Sequence, residues 1–251
     1  MLRVERWKDA RAAEFRAVWR LIRAGRRPNG PPVPAEQTPE SGVHDAELNM
    51  TELLGHPALY IAAQRLIGAT RARRLIIENE IAPGPGWRVL DIGCGPGYLA
   101  PLFGGASYVG VDTCDAYIRY AKAHYAAWGT FHCFEITDET IRQFQNYDVV
   151  MLFGVLHHLD DPDAVALLTR LRLALKPGGK MITLDGYFSS DMSPWRRYIL
   201  RSDRGKFVRE EPAYRRLALS AFNQVDTQRF DHLFYIPYNL LVMSCRQTQA
   251  P

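Results

Sequence analysis

The sequence predicts a doubly wound α/β fold: a mostly parallel, seven-stranded sheet with helices on both faces and a helical extension at the N-terminus. Three observations carry this. Strand and helix patterns alternate from residue 88 to residue 184, which implies parallel strands joined by right-handed crossovers. The first strand ends in a glycine-rich turn, Gly93-Cys94-Gly95-Pro96-Gly97. After Asp185 the alternation stops, and the segments 225–231 and 238–245 read as a strand pair at the sheet edge.

Residues 1–48 read as a basic helix over 5–27 followed by a proline-rich linker. Phe15, Val18, Trp19 and Ile22 keep helical spacing, but one short helix without packing is marginal in water, so this stretch is a candidate for disorder. Residues 1–30 hold nine Arg/Lys against three Asp/Glu, so the net charge of +4 leaves −2 for the remainder. The body therefore lacks the broad basic surface of a nucleic-acid binder. The N-terminus has no apolar leader core, and no apolar run reaches the roughly 20 residues of a membrane span. The four cysteines, Cys94, Cys114, Cys133 and Cys245, form no CxxC pair. Reduced thiols and a cytoplasmic location are expected.

Residues 49–82 are expected to be helices covering a cleft. Thr51 can cap one and Pro57 can start the next, with Leu59, Ala62, Ala63, Leu66 and Ile67 as an apolar stripe. The main domain then runs over 83–251. Its expected order is strand 88–92, helix from 98, strand 108–111, helix 116–127, strand 130–134, short helix 138–145, strand 148–153, helix 163–175 and strand 180–184. Lys176-Pro177-Gly178-Gly179 reads as a structural turn. The polar, aromatic and basic stretch 190–209 precedes a helix over 212–222.

The glycine turn carries the chemistry. Glycines let a backbone bend sharply and approach a ligand closely. A dinucleotide site has G-x-G-x-x-G, whereas here the sixth position is Tyr98 and Asp91 lies just upstream. A carboxylate repels a pyrophosphate but attracts a sulfonium and an α-ammonium. At this point VLDIGCGPG resembles the class I S-adenosylmethionine-dependent methyltransferases, small-molecule branch, with similarity over about residues 50–245 and a Rossmann-like fold. The resemblance implies the cofactor S-adenosylmethionine. It implies Asp91 near the methionine end, with Gly93, Gly95 and Gly97 beneath it. Asp112, with Thr113, ends the second strand where an acid can accept from both ribose hydroxyls. Glu135 and Ile136 fall at the adenine position, where an Asp is more usual than Glu. Phe153 emerges at the carboxyl edge of the fourth strand.

Methyl transfer needs positioning, exclusion of water and, for a protonated acceptor, a base. His157 and His158 are the candidate bases, with the preference on His158, and adjacent positions imply that at most one of them faces the substrate. The segment 195–209, rich in arginine, is expected to form a substrate-facing insert suited to an anionic metabolite or sugar derivative. Cys94, Cys114 and Cys133 sit near strand ends without paired spacing, so no metal is expected. The function expected is O- or N-methylation of a small molecule, with no nucleic-acid partner and no stable membrane insertion. The competing readings are a nucleic-acid methyltransferase, although the Asn/Asp-Pro-Pro-aromatic motif is replaced by Phe153-Gly154-Val155-Leu156, and a cofactor-binding protein without catalysis.

Overall fold

The computed structural model describes residues 56–202 and 205–247. The chain divides into two compact units, residues 1–60 and 61–251. Of the first, only residues 56–60 are described, so the basic helix, the linker and the Thr51 cap lie outside the described residues.

Helix α1 (Pro57–Leu66) is followed by α2 (Ala69–Ile76). Gly68, at φ 84°, interrupts them and resets the helical phase. The expected stripe is not one buried face: Leu59 and Leu66, both on α1, are 42% and 43% exposed. The buried row falls instead on Ala69, Ala72, Ile76, Ile77 and Ile81.

Strands β1 (Arg88–Ile92), β2 (Ser107–Asp112), β3 (Thr130–Cys133), β4 (Tyr147–Phe153) and β5 (Leu175–Phe188) alternate with α3 (Asp115–Tyr125) and α4 (Asp161–Arg172). Helix α5 (Pro194–Arg201), the short strand β6 (Arg209–Glu210) and α6 (Glu211–Leu219) come next. Strands β7 (Gln224–Phe230) and β8 (Leu240–Arg246) end the described chain. The strand order is β3-β2-β1-β4-β5-β8-β7. The first five are parallel, and β8 pairs antiparallel with both β5 and β7. The expected edge hairpin is thus present. An eighth strand was not foreseen: β6 pairs in parallel with Tyr187–Phe188 at the end of β5, and two residues have no periodicity to read.

Both sheet faces are buried. Leu90, Val150, Leu152 and Met181 pack with Leu168 and Leu171 of α4 and Tyr214 of α6. Val89, Val149, Met151 and Ile182 pack with Ile76 of α2 and Ile118 of α3. This two-sided burial is why the strands read as near-continuous apolar runs.

Two expected helices shrink to short 3₁₀ turns. After the glycine turn only Ala100–Phe103 is helical, because Pro96 and Pro101 remove amide donors and Gly104-Gly105 ends the run. The helix expected over 138–145 is Thr140–Gln143. Helix α4 stops before residue 175 because Leu175 already pairs with Tyr147 as the start of β5. Its N-terminus is capped by Asp160, whose carboxylate accepts from the Asp163 amide at 3.0 Å. Asp160→Ala is expected to cost about 1 kcal/mol, measured by urea denaturation; an unchanged midpoint would show that the cap contributes nothing.

Candidate functional site

The ends of β1, β2, β4 and β5 meet at the carboxyl edge of the sheet, the edge where open α/β folds place ligands. The bend after β1 is built by geometry that only glycine tolerates. Gly93 and Gly97 have φ 74° and 75°. A Cβ on Gly93 would stand 2.6 Å from Val155 Cγ2, and one on Gly97 would stand 2.7 Å from Phe131 Cε1 and 2.8 Å from Ala121 Cβ. The amides of Gly93 and Cys94 donate to the Val111 carbonyl at 2.8 and 3.2 Å. The half-buried Asp112 carboxylate accepts from the Gly95 amide and the Cys114 amide, each at 2.8 Å. It thereby locks the bend to the end of β2.

Asp91 is 1% exposed. Tyr108 Oη donates to its Oδ2 at 2.5 Å. Its Oδ1 is buried and has no hydrogen-bond partner among the described residues. Burial pushes its carboxyl up to about 6, opposed by the Tyr108 hydrogen bond and by the Arg73 guanidinium, with Asp112 adding a smaller upward push. An acid with an orphaned oxygen beside a side-chain-free bend fits a small cationic group.

Arg73, in α2, supplies the opposite charge. Its Nη1 donates to Gln64 Oε1 at 2.7 Å and to Tyr98 Oη. Its Nη2 lies 3.6 Å from the position a Gly154 Cβ would take, and His157 Cε1 lies at the same distance. Gly154, at φ 76°, thus stands between a cation and an imidazole.

His157 is 6% exposed and sits in the 3₁₀ turn Leu156–His158. Its Nδ1 lies 2.8 Å from Asp185 Oδ1, and its backbone amide donates to the same oxygen at 3.2 Å. His158 is exposed, its ring centroid 4.2 Å from that of His157. His157 is thus buried and its neighbour exposed, with the two rings side by side. Of the remaining predicted residues, Thr113 and Glu135 are exposed, while Ile136 and Phe153 are buried. The Glu135 carbonyl accepts from Thr140 Oγ1 at 2.8 Å, which fixes the loop after β3.

The insert is largely structural where its arginines are concerned. Arg209 donates to the Leu156 carbonyl at 3.0 Å and the Leu159 carbonyl at 2.6 Å, and pairs with Asp161. Arg196 donates to Asn239 Oδ1 at 2.9 Å and Arg197 to the Ser189 carbonyl at 3.1 Å. These three cations hold the protein's own acceptors. The insert nonetheless reaches the site: the Phe207 amide donates to the His157 carbonyl at 2.9 Å.

Sequence reasoning missed Arg73, Tyr98 and Asp185. Arg73 is one of four arginines between 65 and 74, and only the helix phase selects it. Asp185 directly follows the mostly apolar run 181–184 within β5, a signal that was available but not used. The four cysteines are free thiols. Among the described residues no group of three or more His, Cys, Asp or Glu could hold a metal, and no helix is long and apolar enough to cross a membrane.

The strand order and the glycine bend define an α/β domain in which the Arg73 charge acts on Asp91 beside the bend. Residues 89–179 match the family model described as a methyltransferase domain, and the chain shares the fold of solved methyltransferases. A ubiquinone biosynthesis O-methyltransferase of Idiomarina loihiensis is 34% identical over 110 residues, covering 42% of this chain and 44% of that protein. A tRNA U34 carboxymethyltransferase of Pseudoalteromonas translucida is 32% identical over 128 residues, covering 47% and 39%. The chain thus spans less than half the length of these curated relatives. Human N-acetylserotonin methyltransferase, solved in complex with SAM, shares the fold with a TM-score of 0.59 at 19% identity, over 82% of this chain and 61% of that one.

A buried acid raised toward pH 6 destabilises the folded chain wherever it must ionise. The stabilisation is complete below the unfolded value of 3.8 and is lost as pH rises through about 6. A shift of this size corresponds to roughly 3 kcal/mol. The ligand-free protein should lose stability between pH 4 and 7, and Asp91→Asn should flatten that slope. Parallel pH–stability curves for the two proteins would count against an ionisable burden at Asp91.

Gly97→Ala should destabilise by about 2–4 kcal/mol, since positive φ and a backbone-adjacent clash act together, read as a drop in Tm. A change under 0.5 kcal/mol would mean that the bend relaxes freely.

Proposed function

We propose that this chain transfers a methyl group from S-adenosylmethionine to a small-molecule acceptor, through oxygen or nitrogen. The observation that carries the reading is the charge arrangement on the glycine bend. Asp91 offers a buried, unsatisfied carboxylate oxygen, and Arg73, whose charge acts on Asp91, lies across from it. A zwitterionic amino-acid moiety matches both: its ammonium goes to the acid and its carboxylate to the guanidinium. A pyrophosphate would match only the arginine. Asp112 keeps lone pairs beyond those taken by its two amide donors, which suit ribose hydroxyls. Glu135 and Ile136 would border the adenine, and Phe153 the cleft floor. The bound cofactor supplies an already activated methyl group, so the chain's residues orient the reactants and exclude water.

The curated relatives support both acceptor classes: one is named for ubiquinone biosynthesis and another for a tRNA base. The near-neutral charge of residues 31–251 favours the small molecule. Salt-sensitive tRNA binding would favour the other.

Titration calorimetry should find adenosylhomocysteine binding, weakened about tenfold to a hundredfold by Asp112→Ala. No heat with adenosylhomocysteine, together with tight binding of NADH, would refute the assignment.

A further inference from the structure

We infer that Tyr108 is a positioning residue of the cofactor site: its hydroxyl holds the Asp91 carboxyl in the ionised form, and uptake of the cofactor's ammonium is coupled to ionisation of that acid. This rests on the methyltransferase reading above and adds to it a residue, a proton and a direction of pH dependence.

The strand register builds the contact. Val89 of β1 pairs with Tyr108 of β2, and Asp91 pairs with Gly110. Side chains two apart on a strand share a face. Tyr108 and Asp91 are therefore diagonal neighbours, a separation that a long aromatic side chain spans. Gly110 leaves that diagonal open: a Cβ there would stand 2.8 Å from Cys94 Sγ and 2.9 Å from Phe131 Cδ1. Gly129 makes room for the ring itself, since a Cβ there would stand 2.6 Å from Tyr108 Cδ1. Phe103 and Phe131 flank the ring at centroid distances of 5.3 and 5.9 Å. Held in this way, Tyr108 Oη donates to Asp91 Oδ2 at 2.5 Å. Phenylalanine would fill nearly the same volume; what the hydroxyl adds is the bond to the acid.

The other oxygen, Asp91 Oδ1, is buried and has no hydrogen-bond partner among the described residues. A carboxylate with one committed and one uncommitted oxygen is completed by a cation. Gly93, two residues further on, is exposed, so the bend brings accessible backbone beside the buried acid.

The charged and titratable groups around Asp91 come from each element that packs on it. From β2, Tyr108 donates to it and Asp112 adds a like charge; from α2, the Arg73 guanidinium opposes it. Cys94 on the bend is coupled to Asp91, and Tyr98 beyond the bend is coupled to Tyr108. Met151, the partner of Asp91 on β4, is uncharged. Burial is the largest influence and pushes the Asp91 carboxyl up to about 6, while the Tyr108 bond pulls it down. Burial, then the charge of Asp91, pushes the Tyr108 hydroxyl well above the usual tyrosine value. Tyr108 therefore stays a donor throughout the range in which Asp91 titrates. A hydrogen bond donated to a carboxylate favours its charged form, so loss of the hydroxyl leaves Asp91 protonated at higher pH. A ligand ammonium and a proton compete for the same carboxylate. Binding below about pH 6 must then release the Asp91 proton to solvent, and affinity falls as pH falls.

The test is calorimetry with adenosylhomocysteine from about pH 5 to about pH 8.5, in paired buffers of unlike ionisation enthalpy. Wild type should lose roughly tenfold in affinity between about pH 7 and about pH 5. It should release close to one proton per ligand at about pH 5 and almost none at about pH 8. Tyr108→Phe should move the fall upward by about one pH unit. Its deficit should be about fivefold at about pH 6 and vanish by about pH 8.5. Asp91→Asn should bind at least about tenfold more weakly than wild type at about pH 8, with no slope across the range. A deficit of the Phe variant that is equal at every pH overturns the role of Tyr108. Equal wild-type affinity at both ends of the range, or a slope that survives in Asp91→Asn, overturns the coupling. Should the Phe variant fail to fold, ¹³Cζ-tyrosine NMR of the ligand-free wild type decides. The Tyr108 signal should shift as Asp91 protonates near pH 6, and a signal unmoved between about pH 5 and about pH 8 overturns the pairing. Absence of adenosylhomocysteine binding at every pH overturns the underlying methyltransferase reading instead.

Discussion

The site depends on one carboxylate that ties two strand ends together. Asp112 accepts from Gly95 on one side and Cys114 on the other, so the bend after β1 and the start of α3 share a single anchor. Backbone amides aimed at a carboxylate are charge-assisted donors. They hold a loop whose left-handed glycines would otherwise cost the chain most in conformational entropy. The contact of Gly97 with Ala121 and Phe131 then sets how closely α3 and β3 approach.

Electrostatics in the cleft are left incomplete by the protein itself. Asp91 is buried with one oxygen satisfied by Tyr108 and the other by nothing among the described residues. Burying an acid in this way is costly, and its upward-shifted carboxyl reflects that cost. Arg73 offsets part of it. Such stored strain is a common feature of binding sites, where a ligand completes what folding leaves open. The second half of the cleft follows the opposite logic. The turn carrying His157 is held by Asp185, by the Phe207 amide and by Arg209 on two carbonyls.

Several parts of the site were legible in the amino-acid order. Asp91, Gly93, Gly95, Gly97 and Asp112 form a local pattern of strand, bend and strand end, and local patterns survive in sequence. The helix expected at residue 98 was misread because an apolar run after a glycine turn looks helical, while Pro101 and Gly104-Gly105 shorten it to one 3₁₀ turn. The internal partners of Arg196, Arg197 and Arg209 were not legible, because a cation's partner is invisible until the chain folds. Arg209 meets Leu156 and Leu159 some fifty residues away.

What the sequence determined by itself was the alternation of strands and helices, the bend after β1 and the acids that flank it. Periodicity, glycine content and charge sign are written along the chain. Tertiary structure alone decided which of the neighbouring arginines enters the cleft, which of two adjacent histidines meets a carboxylate, and that the carboxylate is Asp185. Those choices depend on helix phase and on strand register between segments far apart in the chain, and neither leaves a trace at the residue concerned.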